Sequence, residues 1–497
     1  MSPLVGFSLQ LDEKRTLFQN AARFDGNPIP IAEFAVREVP DFINGAGNFR
    51  PVGRFADYWQ KTIVFETAEA SQVSPVAIHG LFRLAMAGIL AVVLTAVVAA
   101  LLRSAGLRDH PLQRWTPLVT ATGLGAASFL SPLSAYPFIF IGATAMCFAV
   151  PWFVVRDRDL ETRRASWPEL GLVALVGTLC AATYDLVYIA IPLAVAFFAA
   201  RCYVAGADWA TARGFAAVHR LVALAGGFVA VFIPSRVAIE ARCADGGCYV
   251  ASDISLSVDA LRELPTRALS GFPLAAWDEG GEALALAPYG PRTMLANVGL
   301  VAVLVVLAVV TAQVVVRSVG GDDLRPPLRL AVALAGVGGT AIVFGATLAS
   351  LSVEIQSGAF GVGAPWRETL LVACGWTLVA MAALVVALER APDARAAVFV
   401  GAGVLVALAL GATLLTNARL SHRDRLSEET RLLNHLSVLS IENDRTPDGN
   451  ERRCNAIDAF TDLRPSPNDF GGGPAIRGEL DALFEGRWGV PFCDEGA

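Results

Sequence analysis

Long apolar runs separated by short polar connections dominate the chain, and "LAMAGILAVVLTAVVAALL" (84–102) and "MLANVGLVAVLVVLAVVTAQVVV" (294–316) are the clearest of them. A run of about 20 such residues suits an α-helix crossing ~30 Å of hydrocarbon, since a helix satisfies its own backbone hydrogen bonds. The pattern predicts about ten spans, at 76–102, 116–132, 136–155, 168–183, 186–202, 215–235, 293–316, 328–350, 367–388 and 396–417. Three stretches break it. Residues 1–75 mix polar and apolar positions around turn residues, as in "GNPIPIAEF" and "RFADYWQKTIVF", and predict short interfacial helices. Residues 236–292 read as a large polar loop, and 418–497 as a small soluble tail opening with the helical "RDRLSEETRLLNHLSVL". The expected organisation is an all-α polytopic membrane protein: segment 1–75, helices one to six over 76–235, loop 236–292, helices seven to ten over 293–417, and tail 418–497. No internal repeat is evident.

Composition agrees with this reading. Only 17% of residues are charged and the mean hydropathy is +0.53, against the ~25% charged residues of a soluble protein. The net charge of −6, with no basic stripe, excludes a nucleic-acid binder. Arginine is concentrated in alternate connections, "RSAGLRDHPLQR" (103–114), "RDRDLETRR" (156–164), "RSVGGDDLRPPLR" (317–329) and "ERAPDAR" (389–395), which the positive-inside rule makes cytoplasmic. The segment 1–75, the loop 236–292 and the tail then face the extracytoplasmic side of the plasma membrane. Cysteine usage fits an oxidising outer face: Cys243 and Cys248 lie in that loop, and Cys454 and Cys493 in the tail. Two disulfides, Cys243–Cys248 and Cys454–Cys493, are expected, with reduced cysteines as the alternative. The spacing is not that of a zinc site and no histidine accompanies the pairs, so neither metal nor cofactor is expected.

On this topology several polar groups collect at the outer boundary. Asp12 and Glu13 stand in "LQLDEKRTLF", Arg50 and Arg54 in "GNFRPVGRF", and His79 and Arg83 four apart on one face of the first span. Arg236 follows "VFIPS" and Arg367 stands in "APWRETL". Arginine binds phosphate bidentately without losing its charge, and a carboxylate within reach of a hydroxyl can act as general base. Plainer readings stand beside these. Asp12 and Glu13 are equally charges solvated beside Lys14 and Arg15, and Arg50 and Arg54 could snorkel to headgroups. Asp185, at the tip of a tight hairpin, reads first as a helix cap, and Arg236, Glu354 and Arg367 as anchors at helix ends. His219 and Arg220 fall at the cytoplasmic end and are excluded.

An acidic residue opening an outer segment, a short amphipathic region, many spans with tight hairpins such as "LCAATYDLVYIAIPL", the outer "GNFRPVGRF" and a soluble outer tail resemble the GT-C class of membrane glycosyltransferases, in particular the actinobacterial enzymes of cell-envelope assembly. The resemblance covers roughly 1–420 and rests on layout and short motifs. It implies inverting transfer of a sugar from a polyprenyl-phosphate donor to a cell-envelope glycan or glycoprotein acceptor on the outer face. The catalytic carboxylate of that class follows the first helix, which makes Asp12, with Glu13, the expected base, and Arg50, Arg54, His79, Arg83, Arg236 and Arg367 the expected phosphate ligands. The chain departs from the class in lacking that first helix, so an eleventh, upstream span is expected.

Two other functions fit the same residues. A flippase or transporter for a lipid-linked glycan would share the arginines but place charge near mid-membrane, where the spans from 293 onward carry almost none. A non-catalytic envelope scaffold would be indifferent to Asp12 and depend on 418–497.

Overall fold

Proline occupies the first turn of helix after helix, where its missing N–H costs nothing and its fixed φ suits the helix. A computed structural model of the protein describes the chain outside residues 1–3, 5–6, 10–11, 108–109, 111, 125–132, 134, 156–164, 213–214, 244–252, 273–298, 300–301, 303–305, 307–309, 311–326, 359–363, 467–468, 470 and 495–497. Helix α1 is Glu13–Arg23, α2 Pro28–Arg37, α3 Val39–Ala46, α4 Pro51–Ser71 and α5 Pro75–Ser104. Then follow α6 Leu112–Leu124, α7 Ala143–Val154 entered through a π-helical turn at Phe138–Gly142, and α8 Trp167–Thr183. A 3-10 turn at Asp185–Ile189 leads into α9 Ala190–Ala205, followed by α10 Ala216–Cys243 and α11 Val258–Leu269. The rest comprises α12 Leu328–Ser350, α13 Thr369–Arg390, α14 Arg395–Leu426, α15 Glu428–Leu439, α16 Pro447–Leu463 and α17 Gly473–Trp488. An isolated β bridge pairs Ile254 with Ser352.

Among the described residues, six helices are long and apolar enough to cross a membrane: α5, the stretch Asp185–Ala205 containing α9, α10, α12, α13 and α14. Phe138–Val154 and Trp167–Thr183 are apolar but shorter. The all-helical molecule thus has the make-up of a membrane protein with several passes, though six helices meet the length criterion where about ten spans are expected. The predicted span 293–316 and much of 116–132 lie outside the described residues. The span expected to stop at 235 continues as helix to Cys243, which puts Arg236 on a helix face rather than in a loop.

Close backbone approach holds the bundle together. A Cβ on Gly177 would lie 2.1 Å from the Leu224 carbonyl oxygen, and one on Gly227 1.9 Å from that of Ala174, so α8 and α10 cross where only glycine fits. The apolar core runs through α5, α7, α9, α12 and α13. One end of the bundle is tied by arginine: Arg201 donates to the Val155 carbonyl (2.8 Å) and Ser104 Oγ (2.9 Å), and Arg220 pairs with Glu169 at 3.1 Å.

The opposite end carries a second core. Leu17 and Phe18 of α1 and Phe65 of α4 pack with Leu436, Phe460, Leu480 and Phe484 of α15 to α17. The N-terminal segment and the tail, expected as separate units, therefore share one apolar interior. Polar seams tie them further: Arg15 to Glu479 at 2.6 Å, Lys14 to Glu429, and Arg487 to Glu66 and Glu69. Cys454 and Cys493 are disulfide-bonded within the tail, closing a loop of 39 residues, a constraint worth about 4 kcal/mol in the chain-entropy account.

Candidate functional site

Two groups of charged side chains sit at the tail-bearing end. The first is built on Glu13. Its Oε1 accepts from Tyr136 N–H (2.7 Å) and pairs with His79 Nε2 (2.9 Å), while Arg83 Nη2 lies 3.8 Å from Oε2. Arg83 donates to the Phe7 and Ser8 carbonyls at 2.8 and 3.0 Å. Glu13, His79 and Arg83 are all at most 1% exposed. Burial alone would push the Glu13 carboxyl up, but the charge and hydrogen bond of His79, with Arg83 and Lys61, hold it below its ordinary value. Tyr136 is held at φ +44°, a costly backbone angle for a residue with a side chain, with Lys61 over its ring at 4.5 Å and Lys61 paired in turn to Asp57 at 2.7 Å.

Four of the expected site residues fall here. His79 and Arg83 share a helix face, as their spacing requires, and bond to Glu13 and to backbone carbonyls. Glu13 is buried among the same contacts. Asp12, one residue earlier, is exposed.

The second group surrounds a cavity of about 270 Å³, the size of a headgroup rather than of a whole lipid. The break between α8 and α9 forms one wall: Tyr184 is extended (φ −167°, ψ 147°), which swings Asp185 and Tyr188 to the cavity. Helix α10 contributes Phe232 and Arg236, the end of α12 Leu348, the turn after it Ser352, the approach to α13 Trp366, Arg367 and Glu368, and the turn after α3 Asn48 and Phe49. The walls are thus aromatic and apolar, with charge at a few points.

Arg50 belongs to this group through Tyr184, lying 5.5 Å from the ring centre. Gly53 makes the approach possible, because a Cβ there would lie 2.1 Å from the Thr183 carbonyl oxygen. Arg50 makes no hydrogen bond or salt bridge among the described residues, and its Nε is buried without a partner. Burial first, and then the neighbouring charge of Arg54, lowers its guanidinium below the ordinary value, with Asp185 and Tyr184 opposing. This is an arginine short of negative charge. Arg54 faces Phe42 instead, 3.7 Å from the ring, and adds to the positive field without lining the cavity.

The acids here are differently placed. Asp185 is half-buried beside the Tyr188 hydroxyl and makes no salt bridge among the described residues. Glu368 is buried; its Oε1 accepts from Ser270 Oγ at 3.0 Å and lies 3.5 Å from Arg267 Nη1, while Oε2 has no partner. Burial raises the Glu368 carboxyl above its ordinary value, and Arg267 only partly offsets it. Arg236 reaches Glu240 at 2.8 Å, a pair open to solvent.

Of the expected phosphate ligands, Arg236 and Arg367 line the cavity, Arg50 lies beside it against Tyr184, Arg54 faces Phe42, and His79 and Arg83 belong to the Glu13 group. Comparisons with protein-family models, with curated proteins and with solved structures find no match to this chain. Sequence reasoning treated Asp185 as a cap and did not single out Asn48 or Glu368. The interrupted helix at "TYDLVY" was the available signal, since a carboxylate at a break in an apolar hairpin has no helical partner. Among the cysteines, Cys243 is disulfide-bonded; Cys248 lies outside the described residues.

Proposed function

We propose that the protein is a multi-pass transferase of the plasma membrane that uses a polyprenyl-phosphate sugar as donor and acts on its extracytoplasmic side. The observation that carries this reading is an apolar, aromatic cavity lined by Arg236 and Arg367, with Arg50 beside it making no salt bridge among the described residues. Such a cavity suits an anionic headgroup on an apolar chain, because arginine forks match phosphate and the walls accept the first isoprene units. Arg201 and Arg220 at the other end of the bundle, and a disulfide in the tail at this end, support the orientation.

Asp185 takes the role that sequence reasoning gave to Asp12. Asp185 removes the proton of an acceptor hydroxyl as that oxygen bonds to the anomeric carbon. The bond from that carbon to the phosphate oxygen breaks, and its electron pair leaves on the lipid phosphate, held by Arg50, Arg236 and Arg367. The products are the glycosylated acceptor and the free polyprenyl phosphate. Attack opposite the leaving group makes the transfer inverting.

Mass spectrometry of lipids that co-purify with the protein tests the reading. A polyprenyl phosphate or its glycoside is expected with the wild type and with Arg83→Ala, and is expected to be depleted in Arg50→Ala. Bulk phospholipid alone in all three would end the transferase reading.

A further inference from the structure

The cavity presents more than positive charge. Asn48 is 8% exposed and Glu368 1% exposed; both line it, and each keeps one oxygen, Asn48 Oδ1 and Glu368 Oε2, buried without a hydrogen-bond partner. The remaining polar atoms of both side chains have somewhere to go. Asn48 Nδ2 donates to the Ala46 carbonyl at 3.5 Å, and Glu368 Oε1 is held by Ser270 and Arg267. Buried polar atoms in folded proteins are normally paired, so two orphan acceptors on side chains that line one cavity suit a ligand that brings donors. A bare phosphate monoester brings acceptors almost alone: it would satisfy the arginines and leave both oxygens stranded.

We infer that Asn48 and Glu368 form a hydroxyl-reading subsite, which makes the cavity select a lipid phosphate carrying a polyhydroxylated headgroup over the same lipid phosphate without one. The inference rests on the proposed function, and it assigns to this chain the residues that discriminate donor from spent product. The division of labour is chemical. Arg50, Arg236 and Arg367 recognise the phosphate common to both lipids, whereas Asn48 Oδ1 and Glu368 Oε2 recognise only what is lost on transfer. Rejection by unpaired buried acceptors is the stronger kind of selectivity, since the wrong ligand leaves desolvated atoms with nothing to bind. It would also help the product lipid to leave after each turnover.

Binding of four probes to the full-length protein in nanodiscs decides the matter: farnesyl phosphate, its esters with a hexopyranose and with a pentofuranose, and a short-chain phosphatidylethanolamine, whose ammonium also donates hydrogen bonds. The wild type should bind at least one glycoside about tenfold more tightly than farnesyl phosphate, the effect of one or two neutral hydrogen bonds. Asn48→Ala should remove most of that ratio while leaving farnesyl phosphate affinity unchanged. Glu368→Gln, which puts a donor where an acceptor stood, should lower the ratio as well; Asn48→Ala keeps the test decisive if loss of the contact with Arg267 harms folding. Arg50→Ala should weaken glycoside and farnesyl phosphate in parallel. Equal affinity of the wild type for farnesyl phosphate and both glycosides, tighter binding of phosphatidylethanolamine, or an intact ratio in Asn48→Ala would overturn the subsite and leave the phosphate site standing. Binding of neither farnesyl phosphate nor its glycosides would remove the proposed function, and the subsite with it.

Discussion

The two charged groups at the tail-bearing end are built from the same residue types and differ in how completely they are paired. Around Glu13, His79 and Arg83 each charge meets an opposite charge or a carbonyl, although Glu13 Oε2, His79 Nδ1 and Arg83 Nε keep no hydrogen bond. Asp185, Arg236, Arg367 and Glu368 line a space with Arg50 beside it, and Arg50 Nε and Glu368 Oε2 keep unused capacity. Buried charge is costly in both places. It is offset internally in the first and left for a ligand to offset in the second. The lesson is that residue type and membrane depth nominate candidates, while pairing separates a fastener from a binding site.

The contrast breaks first at Glu13. Glu13→Ala would strand His79 and Arg83 and should destabilise the protein by about 3–5 kcal/mol, read as a lower melting temperature in detergent, with lipid binding intact in the fraction that remains folded. Unchanged melting would mean that the clamp is not a fastener. The same carboxyl predicts an acid limb. Because its folded value lies below the ordinary 4.5, its contribution is complete above that pH and is lost as pH falls through the lower folded value. Glu13→Gln should flatten the pH dependence of melting in that window.

Asp185→Asn should reduce transfer by about 10²- to 10⁴-fold, the range of general-base catalysis, with melting temperature and lipid binding unchanged. Loss of binding along with activity would make Asp185 a ligand and not a base. Arg50→Ala should weaken lipid-phosphate binding by about 10- to 150-fold, as for one charge-assisted contact. Its melting temperature without ligand should hold or rise, since an uncompensated buried guanidinium is removed. A sharp drop in stability would place Arg50 with the fasteners. The smallest effect belongs to Asp12→Asn, for which neither stability nor transfer should change measurably; lost transfer would restore Asp12 as the base.

Much of the helical layout was legible because the apolar run is a local property. The spans read at 76–102, 168–183 and 328–350 correspond to Pro75–Ser104, Trp167–Thr183 and Leu328–Ser350. The pairing of Glu13 with His79 was not legible, because 66 positions separate them and only packing brings them together. Arg50, Arg236 and Arg367 were legible as arginines at helix ends near one boundary. Their convergence depends on Gly53 letting α4 approach Thr183 and on the extended Tyr184, neither of which leaves a mark in hydropathy. Asn48 is a single neutral side chain in a turn, and its significance rests entirely on an oxygen with no partner.

The shared core of α1 and the tail has a consequence for biogenesis. Gln19 and Glu479, hydrogen-bonded at 3.0 Å, are 460 positions apart. At ~5–20 residues per second, roughly 20–90 s of synthesis separates them. Throughout that interval the apolar face of α1, with Leu17 and Phe18, has been made and its partners in α15 to α17 have not. The nascent chain therefore needs cover for that face from the membrane surface or a chaperone, and release of the last helix from the ribosome is the event that ends the need.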